Sequence, residues 1–123
     1  MSVLAQQISL QHNKLQSLID SIALYGNDEA GSVRGSELVS DFADLMRRHL
    51  ALESRQLSLR TLDVAAASDY DTCLHSISSR LDALLIRVAA MPQAPLADFG
   101  APMRDLLNEH LLHPAHKKLV RIS

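Results

Sequence analysis

Six histidines in a chain of 123 residues are the chemistry this sequence offers. His12, His49 and His110 each stand where the surrounding four-three spacing calls for an apolar side chain. A buried imidazole must pair both ring nitrogens, or each unsatisfied group costs about 1–3 kcal/mol. Any one of them alone reads as a core histidine bonded to a neighbour. Several together suggest metal, because neutral imidazole is a common ligand and facing helices build such sites in bundle cores. Glu53 lies four residues after His49 and therefore on the same helical face. A carboxylate beside imidazoles suits iron, zinc or manganese, and it can bridge two cations. The same spacing equally suits a solvated carboxylate near Arg47, Arg48 or Arg55.

The remaining candidates are less direct. His75 sits one step beside an apolar stripe, with Asp71 one turn earlier on the same face. Asp71 also lies three residues after Ser68, where it would complete a helix capping box, the stronger reading of the two. His110, His113 and His116 recur in steps of three, which drift by about 60° each on a helix. His116 can join a shared cation only if Pro114 reorients the chain; otherwise His113 and His116 read as cationic caps near a helix C-terminus. Cys73 points away from the His75 face and reads as an inert small residue. No His-Glu-x-x-His, paired Glu-x-x-His, phosphate loop, nucleophile elbow or cysteine pair occurs.

The elements that would position these residues follow from composition and periodicity. Hydrophobic residues make up 47% and charged residues 21%, close to a globular average, which argues against disorder. A net charge of -2 and only 3% aromatics give no footprint for nucleic acid or an anionic membrane. The lone Cys73 fits a reducing compartment, the start lacks the pattern of a signal peptide, and no stretch reaches the roughly 18 apolar residues of a membrane span. The expectation is a single cytoplasmic helical domain over 1–123.

Four amphipathic stretches carry helical spacing. The first runs over 3–25 with Ile8, His12, Leu15, Ile19 and Ile22 on one seam. After a glycine-containing loop, Ser36 is the expected cap of a second helix carrying Leu38, Phe42, Leu45, His49, Leu52, Gln56 and Leu59. Ser68 is the expected cap of the third, with Tyr70, Leu74, Ile77, Leu81, Leu84 and Val88 as its stripe. The fourth is expected to begin near Asp98, placing Phe99, Met103, Leu106, His110 and His113 together. Pro102 then falls in its first turn, and Pro114 imposes a kink or break. Short connections between such helices predict an all-α, up-down-up-down four-helix bundle.

With the order and spacing in view, the chain resembles the hemerythrin family. Gln11-His12-Asn13-Lys14-Leu15 and Leu18-Ile19 resemble its first-helix segment, and His49 with Glu53 resembles the His-x-x-x-Glu of its second. Asp71-Thr72-Cys73-Leu74-His75 occupies the place of the third-helix His-x-x-x-His, and Leu106 through Leu111 resembles the fourth-helix stretch around its histidine. Lys117-Lys118-Leu119 matches what usually follows. The resemblance covers essentially the whole chain and implies two irons held by five histidines and two bridging carboxylates. It implies a module for dioxygen or another small diatomic ligand, for sensing or for iron handling; the expectation is that it is not an enzyme, the alternative being an open iron that turns over peroxide or nitric oxide. The implied metal ligands are His12, His49, Glu53, His75 and His110, with Asp71 in place of a histidine. Ala115 stands where a bridging aspartate is expected, and His116 lies beside it. These departures leave open an altered two-iron site, a single metal, or a metal-free bundle that acts as an interaction or signalling module with a protein partner.

Overall fold

A computed structural model describes residues 3–60 and 64–112. It consists of α1 (Val3–Leu24), α2 (Val33–Arg60), α3 (Val64–Ala90) and α4 (Gly100–Leu112), with a 3-10 turn over Leu96–Phe99 leading into α4. The architecture is an all-α four-helix bundle, as the periodicity predicts. Around the ring, α1 packs on α2 and α4, and α3 packs on the same two helices. No helix among the described residues is long and apolar enough to cross a membrane.

The apolar stripes meet in one core. Leu15, Ile19 and Ile22 of α1, Phe42 and Met46 of α2, Ile77 and Leu81 of α3, and Met103 and Leu106 of α4 are all buried in it. Burying a side chain of this size contributes about 1.5–3 kcal/mol, and helices this short are marginal without such contacts. Each stripe therefore fixes which way its helix faces.

Two of the expected helix starts are displaced, for different reasons. The cap of α2 is Ser32 rather than Ser36: the Gly35 N–H donates to Ser32 Oγ at 3.0 Å, and Ser36 already bonds back to the Ser32 carbonyl. Gly35 is a helical residue here, and its missing side chain matters. A Cβ on it would lie 2.6 Å from the Glu29 carbonyl oxygen and 2.8 Å from that of Ala30. The third helix begins at Val64, so Ser68 lies inside it and does not cap it. The Val64-Ala65-Ala66-Ala67 run explains the extension, since alanine has the highest helix propensity. The capping box expected of Ser68 and Asp71 is therefore absent. In the fourth stretch, Leu96–Phe99 form the tighter turn and the α-helix proper begins at Gly100. Pro102 falls in the first turn as expected. The Pro114 break falls outside the described residues.

One end of the bundle is closed by backbone bonds between two loops. Ala30 and Gly31 donate to the carbonyls of Ala94 and Pro92, while Leu96 and Ala97 donate to those of Asp28 and Gly26. These four bonds tie the α1–α2 connection to the α3–α4 connection. They satisfy loop groups that would otherwise be left without partners as the loops pack together.

Candidate metal centre

Away from the stitched loops, four donor side chains from three helices meet. His12 is carried by α1, His49 and Glu53 by α2, and His110 by α4. Each occupies a core position of its own stripe. Ile8 and Leu15 flank His12 along α1, Met46 precedes His49, and Leu106 and Leu107 precede His110, all of them buried. The stripes that pack the core therefore deliver the ligands. His49, Glu53 and His110 are completely buried, and His12 is half-buried, so the centre is nearest to solvent on the α1 side.

One candidate ligand atom from each residue lies within 4.8 Å of all the others. His12 Nε2 is 2.8 Å from His49 Nε2. His49 Nε2 is 3.2 Å from Glu53 Oε1, and His110 Nε2 is 2.8 Å from Glu53 Oε2. The three rings are tilted or edge-on to one another, with centroids 4.4, 4.9 and 5.9 Å apart, so nitrogens converge and faces do not stack. Four donors bound to one ion at about 2.0–2.2 Å lie roughly 3–4 Å from each other. The observed separations, from 2.8 Å to at most 4.8 Å, bracket that requirement, so small side-chain adjustments would bring the four donors onto one ion. The residues present could hold a metal ion.

The surroundings of the ligands fit it as well. His49 Nδ1–H donates to Gln11 Oε1 at 2.7 Å, which in the neutral ring turns the Nε2 lone pair toward the cluster. That same Nε2 faces both His12 and Glu53, two close partners on an atom with a single in-plane lobe. A cation satisfies such a convergence better than one hydrogen can. On the opposite side, Tyr70 O–H donates to Glu53 Oε2 at 2.7 Å. Burial, then the charge of Glu53 and the hydrogen bond to it, push the phenol's pKa above its ordinary value. Tyr70 therefore remains a hydrogen-bond donor and orients the carboxylate.

The structure brings together His12, His49, Glu53 and His110 from the residues singled out in the sequence. It does not bring Asp71 or His75 to them. Both are exposed on α3, because each follows a stripe residue (Tyr70, Leu74) by one position. A single helical step rotates a side chain by about 100°, enough to carry both out of the core face. His113, Ala115 and His116 lie outside the described residues. Glu53 is buried at the cluster and is not a solvated partner of the nearby arginines. Of those, Arg47 instead pairs with Asp82 across to α3. Glu109, next to His110, is exposed and engaged by Arg80.

Two residues of the centre were not singled out by their chemistry. The spacing marks Tyr70 only as an apolar member of the α3 stripe, although a phenol at a core position must find an acceptor. Gln11 precedes a candidate ligand and signals nothing until its neighbour across the bundle is known. The chain has no significant match among family models, curated proteins or solved structures.

Proposed function

We propose that the protein is a hemerythrin-like metal-binding module, its centre taking non-haem iron for diatomic ligand binding, sensing or iron handling. The observation that carries this reading is the convergence of three imidazoles and one carboxylate from α1, α2 and α4 in a buried pocket. Iron there would supply a redox-active cation able to bind a small neutral molecule such as dioxygen. The chain's own residues do the rest. His12, His49, Glu53 and His110 hold the ion, Gln11 and Tyr70 orient two of these ligands, and the flanking apolar side chains exclude bulk water. Among the four, His12 alone is partly exposed to solvent.

The test is metal analysis and visible absorption of protein expressed with added iron, beside the His49→Ala variant. Iron bound to the parent chain and lost from His49→Ala is the expected result. A colourless, metal-free parent chain would instead point to a four-helix interaction module.

A further inference from the structure

Three helices supply ligands to the centre and the fourth does not. At the corresponding level α3 presents Tyr70, 1% exposed, whose hydroxyl hydrogen is directed at Glu53 Oε2. Beside it on the same stripe come Leu74, packed against Tyr70, and then Ile77, neither of which has a lone pair to offer. The other α3 residues with ligating side chains lie elsewhere: Asp69, Asp71, His75 and Asp82 are exposed, and the half-buried Cys73 is outside the ligand cluster. Among the described residues, the only group of three or more potential ligands is the four-residue cluster itself.

Two cations held side by side need donors on both flanks and a carboxylate free to place one oxygen on each. Here the flank toward α3 is filled by a phenol ring. The carboxylate is also occupied: Glu53 Oε2 already receives Tyr70 and faces His110, while Oε1 faces His49. Three imidazoles and one carboxylate are the donor count of one tetrahedral ion.

We infer that the centre takes one divalent first-row cation per chain, with Tyr70 closing its α3 side and holding Glu53 as a ligand to that single ion. This inference rests on the metal-binding reading and sharpens it to a stoichiometry. Tyr70 is a positioning residue in this arrangement: it acts on the cation through Glu53. Removing such an outer partner typically weakens metal binding 10–100-fold without changing the ligand set.

The experiment is a titration of the metal-stripped full chain with Co2+, followed by visible absorbance, which reports both stoichiometry and coordination. The expected end point is one equivalent, unchanged in His116→Ala. Tyr70→Phe keeps the ring and is expected to bind one equivalent 10–100-fold more weakly, with its cobalt bands shifted. An end point at two equivalents in the parent chain overturns the single-ion inference and leaves the metal-binding reading standing. No uptake at all overturns both. Loss of binding in His116→Ala overturns the four-residue ligand set. Identical affinity and spectrum in Tyr70→Phe overturns the role given to Tyr70.

Discussion

His49 shows how a polar residue in a core is specified from two sides at once. Its Nε2 meets the ligand cluster while Nδ1–H is held by Gln11 on the neighbouring helix. Gln11→Leu removes the acceptor and leaves the ring free to turn. We expect a 10–100-fold loss of metal affinity with the stoichiometry kept, measurable by competition with a chromogenic chelator. Cys73 makes a contrasting case. Burial and Glu109 push its thiol upward, with Arg80 acting the other way more weakly. Less thiolate is then present near pH 8 than on a small free thiol, so its reaction with a disulfide reagent should be slower than that of glutathione. A rate equal to or faster than glutathione would contradict this. At this scale the three histidines were legible because a polar residue on an apolar seam is conspicuous, and Glu53 because it follows His49 by one helical turn. Asp71 and His75 misled because spacing along a helix constrains the angle between two residues and not which face the helix turns inward. Tyr70 and Leu74 settle that face, and they leave the two polar residues outside.

The helices themselves were legible in number and order, since four long amphipathic stripes leave few other ways to pack. The face of α2 was legible only in part: Leu38, Leu45 and Leu52 of the expected seam are half-buried, while Val39, Met46, Leu50 and Glu53 turn fully inward. The helix starts were not legible. Ser36 and Ser68 carry the same local signal as Ser32, and the choice between them depends on how the neighbouring backbone packs and on the helix propensity of the residues before them. Ser32 caps α2 where the Glu29–Ala30 backbone closes over Gly35, and the alanine run carries α3 past Ser68. Gly35 gives this a test. In an ordinary helical position, glycine to alanine stabilises by about 0.8–1.0 kcal/mol. Here the new methyl group would meet two backbone carbonyl oxygens at 2.6 and 2.8 Å, which cannot rotate aside as a side chain would. Gly35→Ala should therefore destabilise by about 1–3 kcal/mol in urea unfolding, with metal stoichiometry untouched. A gain in stability would show that the loop yields.

For the molecule as a whole, an ion bound only by the folded state adds to its stability by mass action. At a free concentration one hundred times the dissociation constant the gain is about 2.7 kcal/mol. At this chain length that corresponds to a rise in melting temperature of roughly 10 °C. Stripping the loaded protein with a chelator should lower the melting temperature by about that amount, and His49→Ala should show no metal-dependent shift. Equal melting curves with and without metal would mean that the cluster does not bind tightly.

The ligands' distribution over α1, α2 and α4 also sets an order of events in time. The pocket is incomplete until His110 arrives on α4, nearly the whole described length of the chain after His12. Within the four-residue cluster no short segment offers more than the His49–Glu53 pair, so an ion is not expected to template the early stages of folding. On the proposed metal-binding reading it would arrive last and act as a latch. Refolding rates in stopped-flow experiments should thus be almost independent of added metal, while unfolding slows by nearly the full factor that binding contributes to stability. A chain that seems only modestly stable at equilibrium would, once loaded, open very seldom.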